Sequence, residues 1–209
     1  MKLISDYDII ALTETWLNED ISSSELGLYN YNVIRCDRSI FTSTKSTGGG
    51  VLLAIKKCFN YSVIPITDNS FEMLIVKVMV PNNIFLFGVV YVPTGSILKY
   101  YSDMINCFQT SICGFINDGY KRPMVDDYSV AHEFHQNHNI RDAAYLLSNW
   151  CELYVLKQCC DFQNISGNIL DLLFTNFVDV KIVNCTDPIF ECDSSHVPSL
   201  TKKTPNIGS

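Results

Sequence analysis

Four apolar runs of strand length follow one another closely between residues 51 and 92. They are Val51–Ile55, Tyr61–Ile64, Phe71–Val80 and Ile84–Val92. The intervening segments contain turn formers, as in Pro81-Asn-Asn83. Short apolar runs that are separated only by turns leave no room for helices between the strands. This part of the chain therefore predicts an antiparallel meander.

The rest of the chain mixes strand-like and helix-like patterns. The sequence predicts strands at 8–12, 29–35, 169–174 and 180–183, helices at 97–108 and 143–153, a loop at 117–139 and a disordered tail at 201–209. Strands, then a helix, then a loop, a helix and strands again indicate a mixed α/β (α+β) layer fold. We expect two packed sheets with helices outside them, forming one domain over residues 1–200.

Composition restricts the class of protein. The 209 residues include 47% apolar residues, as in a globular domain, and nine cysteines without a Cys-x-x-Cys pair. An odd number of cysteines predicts reduced thiols in the cytoplasm or nucleus. The most apolar stretch, Ile84 to Pro93, has about half the length that a membrane-spanning helix needs. No membrane association is therefore expected, and the oligomeric state is left open.

A net charge of −7 argues against a protein that coats nucleic acid by charge alone. The basic residues are nevertheless concentrated in one segment, which holds only one acid, Asp37. The basic residues of this segment are Arg35, Arg38, Lys45, Lys56 and Lys57.

Three residues beside strand-like runs are candidates for chemistry. Glu14 follows the strand at 8–12, where a carboxylate is well placed to hold a metal, although a surface glutamate is the simpler interpretation. Tyr91 ends an apolar strand, where most tyrosines are core residues with a solvated hydroxyl. Asp171 lies between large apolar residues, where an acid needs a partner to be buried. A histidine is such a partner, and His196 is the nearest candidate later in the chain.

Two further segments are polar. Asp193 and His196 stand three residues apart and could supply a metal ligand and a group that contacts a phosphate, or they could form a polar turn. Gly48-Gly-Gly50 precedes a strand, and no Lys-Ser/Thr follows it, so it is not a nucleotide-binding loop. It is interpreted as a flexible lead-in to that strand.

In order along the chain, seven segments resemble the endonuclease/exonuclease/phosphatase family, most closely the endonuclease domain of LINE-type (non-LTR) retrotransposons. They are Leu12-Thr-Glu-Thr-Trp-Leu17, Tyr31-Asn-Val-Ile-Arg-Cys-Asp-Arg38, Gly48-Gly-Gly-Val-Leu-Leu-Ala-Ile-Lys56, Phe71-Glu-Met-Leu, Val89-Val-Tyr-Val-Pro93, Ile169-Leu-Asp-Leu-Leu-Phe-Thr-Asn176 and Asp193-Ser-Ser-His196. Each segment is weak alone, but seven in this order are specific.

The resemblance implies a four-layer sandwich of two mainly antiparallel sheets with helices outside, and hydrolysis of DNA phosphodiesters with Mg²⁺ or Mn²⁺. It makes Glu14 a metal ligand, places Tyr91 on the phosphate and lets Asp171 orient His196. Asp193 would lie close to the metal or to His196. Arg35, Arg38 and Lys45 would contact the DNA backbone, which positions DNA without reading its sequence.

Two departures from the family pattern predict a weak or inactive enzyme. The chain begins after the strand that usually opens the family's fold and carries an asparagine near the metal. The family's Gly-Asp-x-Asn motif would fall at Gly114-Phe-Ile-Asn117, which retains Asn117 but places Phe115 where an aspartate is expected. Phenylalanine cannot transfer a proton, and such help contributes about 10²- to 10⁴-fold in rate. Asp118, Asp126 or Asp127 would substitute only with a rearranged loop.

Two other functions remain open from the sequence. One is an active phosphoesterase of the same fold that acts on a small phosphate ester. The other is a non-catalytic remnant that binds DNA or a protein.

Overall fold

The computed structural model describes residues 7–45, 47–81, 83–116, 124–128, 138–161, 171–176, 180–184 and 199–203. Its strands are β1 (Ile9–Thr13), β2 (Tyr31–Cys36), β3 (Val51–Lys56), β4 (Asn60–Ile64), β5 (Glu72–Val80), β6 (Asn83–Val92), β7 (Met124–Tyr128), β8 (Lys157–Gln158), β9 (Asp171–Thr175), β10 (Val180–Asn184) and β11 (Ser199–Lys203). Its helices are α1 (Leu98–Ile116) and α2 (His138–Leu153), and a short 3₁₀ helix spans Ser23–Leu26.

The first three strands form an antiparallel sheet in the order β1-β3-β2. The central strand, β3, is apolar on both faces, and Val51–Ile55 are each at most 1% exposed. A strand without a polar face must be covered on both sides, which explains its central place. The predicted single meander over residues 51–92 is therefore wrong for β3, because this strand belongs to a different sheet from β4, β5 and β6.

The second sheet has six strands in the order β4-β5-β6-β7-β9-β8. Strands β4, β5 and β6 form the antiparallel meander that the sequence predicted. Strand β7 is parallel to β6, and α1 makes the crossover between them. Parallel neighbours need such a long connection. A separate hairpin pairs β10 with β11.

The two larger sheets pack face to face, with Val51, Leu53 and Ile55 of β3 against a set of residues from β5 and β6. That set is Leu74, Val76, Val78, Val89 and Tyr91. The alternate residues of β5 and β6 face α1 and α2, where Ile112 and Trp150 complete a second core. The predicted two-sheet sandwich with helices outside is confirmed. Neither helix is apolar enough over a sufficient length to span a bilayer, nor is any other helix in the described ranges.

Two sequence predictions about irregular segments are wrong. The polar stretch 117–139, predicted as a loop, contains β7 and the first residues of α2. Its strand was missed because Asp126 and Asp127 interrupt the apolar pattern. The predicted disordered tail begins at residue 201, but residues 201–203 belong to β11.

A buried ion pair connects the two packed sheets. Arg38 follows β2 of the small sheet, and its Nε lies 2.8 Å from Oε1 of Glu72, the first residue of β5. The two side chains are 7% and 2% exposed. Glu72 also accepts hydrogen bonds from the Thr42 hydroxyl (3.0 Å) and the Gly50 N–H (2.6 Å). These contacts compensate the cost of burying its charge.

The triglycine segment before β3 fits around this pair. Gly48, Gly49 and Gly50 all have positive φ (84°, 65° and 83°). A Cβ on Gly49 would lie 2.2 Å from Arg38 Nη2 and 2.3 Å from Glu72 Oε2. The interpretation of these glycines as a flexible lead-in is therefore wrong. They are required because the backbone is left-handed at all three, and at Gly49 the ion pair also occupies the space of a side chain.

We expect Gly49→Ala to destabilise the fold far more than Gly27→Ala. Gly27 also has positive φ (69°), but a methyl group added there would have no other atom within 4 Å. Gly27→Ala should lower the free energy of unfolding by about 1–2 kcal/mol, the cost of a left-handed alanine. Gly49→Ala adds disruption of a buried ion pair, about 3–5 kcal/mol more. Urea denaturation measures both, and equal losses would contradict the role assigned to the pair.

Candidate active site

The candidate residues lie together at one edge of the sandwich, the edge formed by the ends of the strands. Here β1 ends at Thr13, which pairs with Val51 at the start of β3. In the large sheet, Glu72 at the start of β5 pairs with Tyr91, one residue before the end of β6. The Arg38–Glu72 pair joins the two sheets at this edge. Residues that follow β1 are thus brought against residues at the end of β6.

Glu14, the first residue after β1, has its carboxylate fixed by two donors. Its Oε2 accepts hydrogen bonds from the Gly49 N–H (2.6 Å) and from the indole Nε1–H of Trp16 (2.9 Å). The hydroxyl of Tyr91 lies close enough to this carboxylate for Glu14 to raise its pKa. The Glu14 backbone is left-handed, with φ of 51°. A non-glycine residue in this conformation is strained, and such strain concentrates at functional sites.

Tyr91 is held between Glu14 and Arg38. It is buried in the core between the two sheets, and Arg38 Cζ lies 5.5 Å from the centre of its ring. Burial raises the pKa of the Tyr91 hydroxyl, and the hydrogen bond and negative charge of Glu14 raise it further, whereas Arg38 lowers it in part. The net pKa lies above the ordinary tyrosine value of about 10. The hydroxyl is therefore protonated at neutral pH and can donate a hydrogen bond.

A row of paired residues crosses the large sheet at this edge. Tyr91 of β6 pairs with Asp127 of β7, and Asp127 pairs with Asp171 of β9. Asp127 and Asp171 are direct partners on antiparallel strands, whose Cα atoms lie about 4.5–5.5 Å apart. The backbone thus brings two aspartates of distant sequence position into line with the tyrosine that contacts Glu14.

This row offers an alternative placement for the family motif. Phe115 is the penultimate residue of α1, so it lies in the crossover helix and not beside Tyr91. The residue that pairs with Tyr91 on the strand after that helix is Asp127. From the sequence, Asp127 was expected only as a substitute from a rearranged loop. The missed signal is the short Met124–Tyr128 segment, in which a strand follows a helix and carries the acid.

The two arginines that were predicted to contact DNA also have partners within the protein. Arg35 forms an ion pair with Asp37 and donates to the carbonyl oxygens of Asn18 (2.7 Å) and Ile21 (2.5 Å). It thereby holds the loop that follows Glu14. Arg38 donates to Glu72 and to the Thr47 carbonyl oxygen (2.6 Å). These internal partners leave little of either guanidinium for DNA, and their predicted DNA contacts remain predictions. Lys45 is exposed.

Three predicted site residues, Asn117, Asp193 and His196, lie outside the described residues. Asp171 is described by its backbone position on β9. The roles of Asn117, Asp193 and His196 stay predictions.

The donor chemistry of the site fits a hard divalent cation. Glu14 supplies a carboxylate, and Asp127 and Asp171 are the acids that the strand register brings into the neighbouring row. Oxygen ligands of this kind suit Mg²⁺ and Mn²⁺. Glu72 is committed to Arg38, Thr42 and Gly50. Among side chains that the structure describes, no three potential ligands form a metal cluster, so Glu14 alone would not suffice.

Comparisons with known proteins agree with this architecture. No family model and no curated protein matches the sequence. Among solved structures, the human Nocturnin catalytic domain with bound sulfate anion aligns with a TM-score of 0.63 at 12% identity, covering 94% of this chain and 80% of that one. The endonuclease domain of TRAS1, a telomere-specific non-LTR retrotransposon, aligns with a TM-score of 0.62 at 10% identity, covering 95% and 87%.

A third similar structure is the 3′ phosphatase NExo from Neisseria bound to product DNA hairpin. It aligns with a TM-score of 0.57 at 14% identity, covering 94% of this chain and 89% of that one. Identities this low establish the fold and not the activity. The chain has the fold of the endonuclease/exonuclease/phosphatase proteins.

Proposed function

We propose that this chain is a divalent-metal-dependent phosphodiester hydrolase that cleaves DNA, in the manner of a retrotransposon endonuclease. The observation that carries the proposal is the row Tyr91–Asp127–Asp171 beside Glu14. A phosphoryl-transfer site needs carboxylates for a metal and for proton transfer, and a donor for the phosphate oxygens. The described edge of the sandwich holds residue types for each of these tasks.

Each residue has a distinct proposed role. Glu14, fixed by Gly49 and Trp16, is a metal ligand. The protonated hydroxyl of Tyr91 donates a hydrogen bond to a phosphate oxygen, where negative charge increases in the transition state. Asp127 accepts a proton from the attacking water or donates one to the leaving oxygen. A bound Mg²⁺ or Mn²⁺ would supply positive charge to the phosphoryl oxygens.

The later residues complete the proposal. Asp171 orients His196, because a carboxylate behind an imidazole fixes its tautomer and raises its basicity. Asp193 acts as a second acid near the metal or near that imidazole. Lys45 contacts the DNA backbone. DNA is the proposed substrate because TRAS1 is an endonuclease domain and NExo was solved with a DNA hairpin.

The prediction of a weak or inactive enzyme had two reasons, and the strand register bears on one of them. That reason was Phe115 in place of an aspartate, whereas Asp127 occupies the position paired with Tyr91. We therefore propose that the chain is competent for catalysis.

We expect Glu14→Gln to abolish Mg²⁺-dependent nicking of supercoiled plasmid. Glu19→Gln is the matched control, because Glu19 is an exposed acid on the same loop. Loss of a charged group that acts on the transition state should reduce the rate by roughly 10²-fold or more. Equal nicking by both variants, or turnover of small phosphate esters without nicking, would exclude the proposed reaction.

We expect Asp127→Asn to reduce the nicking rate by about 10²- to 10⁴-fold, the usual contribution of general acid–base catalysis. Asp126→Asn is the matched control, because Asp126 pairs with Val90 and Leu172 and not with Tyr91. The measurement is the single-turnover rate at which each variant forms nicked plasmid. Should Asp126→Asn be the more damaged protein, the assignment of the catalytic acid would have to change.

Tyr91→Phe should lower the nicking rate without changing the shape of its pH dependence between neutrality and about pH 10. The reason is that burial and Glu14 raise the Tyr91 pKa, so the wild-type hydroxyl stays protonated throughout that range. Initial rates at constant ionic strength provide the measurement. A decrease in rate at alkaline pH that is present in the wild type and absent from Tyr91→Phe would contradict this, because it would show that the Tyr91 hydroxyl loses its proton within that pH range.

A further inference from the structure

Trp16 is an exposed tryptophan whose position is tightly fixed. Its side chain is 66% exposed, yet its backbone is left-handed, with φ of 54°. For a bulky residue this conformation is an outlier that costs about 1–3 kcal/mol. The Trp16 N–H donates to the Gly49 carbonyl oxygen (2.9 Å), and the indole Nε1–H donates to Glu14 Oε2 (2.9 Å). Strain and polar contacts together hold a large ring in solvent beside the proposed metal ligand.

Packing among the residues that the structure describes gives no reason for this arrangement. The other tryptophan, Trp150 of α2, is 4% exposed and belongs to the core between the large sheet and the helices. Tryptophan usually buries most of its surface, and an exposed indole loses that free energy. Single exposed apolar residues are common, but here the backbone N–H and the ring N–H of the residue are both hydrogen-bonded. The fixed ring therefore indicates a binding role.

A second exposed apolar segment lies at the same edge. Ile40 and Phe41 are 88% and 73% exposed in the loop that follows Arg38. The next residue, Thr42, donates a hydrogen bond to Glu72 at 3.0 Å, which anchors this loop to the buried ion pair. The carboxylate site thus has exposed aromatic side chains on the loops after β1 and after β2.

We propose that Trp16 stacks against an unstacked nucleobase of the strand whose phosphate occupies the site, an inference that rests on the proposed function. The indole is in direct contact with Glu14, so a bound base would lie next to the reacting phosphate. Aromatic stacking is tolerant of base identity and needs no charge, which suits a site already rich in carboxylates. It requires a base that is free of its own duplex, so single strands bind better than intact duplex.

The fluorescence of Trp16 tests this directly, because the chain has two tryptophans and the other is buried. The wild-type protein is titrated in EDTA with a short single-stranded DNA oligonucleotide. An abasic oligonucleotide of equal length is the matched probe, since it carries the same phosphates without bases. The Trp16→Phe variant supplies the background emission of Trp150.

Stacking predicts that the base-bearing strand quenches the Trp16 emission and that the abasic strand does not. Trp16→Ala should weaken binding of the base-bearing strand roughly 5- to 150-fold, measured by anisotropy of a labelled oligonucleotide. Trp16→Phe should retain part of the affinity. Tyr29→Ala should bind as the wild type does, because Tyr29 is equally exposed (74%) but precedes β2 at the opposite end of the small sheet.

Equal quenching by both strands, no quenching, or unchanged affinity in Trp16→Ala would overturn the inference. If Trp16→Ala does not fold, the wild-type titration decides alone. The outcome is separate from that of the proposed function. Glu14-dependent nicking without quenching would reject the stacking role only. Quenching by bases without any nicking would keep the binding site and reject the hydrolase.

Discussion

The buried ion pair between Arg38 and Glu72 is the contact on which the site depends. It joins the end of β2 to the start of β5, and so fixes one sheet relative to the other at the edge where the candidate residues meet. Removing one partner of such a pair costs about 3–5 kcal/mol, because the other charge stays buried. Glu72 also binds the Gly50 N–H, and the adjacent Gly49 N–H binds Glu14. The position of the proposed metal ligand therefore depends on a pair that takes no part in chemistry.

The sandwich could be predicted from the sequence where apolar periodicity was clear. Strands β4 to β6 and the centres of both helices follow directly from their apolar patterns. The assignment of β3 to the other sheet could not be predicted, because pairing partners depend on contacts between distant residues. Strand β7 was missed because Asp126 and Asp127 lower its apolar character, and a strand that carries two acids does not show the apolar pattern by which strands are recognised.

The candidate site was predictable in composition but not in arrangement. The sequence was enough to select Glu14, Tyr91 and Asp171, because each stands at the end of a strand or inside one. The structure brings the first two of these residues close together. The basic segment was misleading, because sequence shows charge but not its partners. Arg38 is committed to an acid 34 residues away, and no local pattern reveals such a pair.

The chain direction of β6 and β7 explains why the candidate residues can gather at this edge. Parallel strands present their carboxyl ends on the same side of a sheet, and the α1 crossover makes these two strands parallel. Tyr91 and Asp127 both lie near a carboxyl end, and the antiparallel β9 adds its first residue, Asp171, to the same row. Strain at Glu14 then becomes tolerable, because the N–H groups of Gly49 and Trp16 hold its carboxylate. Rigid strands thus set the backbone of the candidate site, and the strained turn after β1 adds the carboxylate that we propose as a metal ligand.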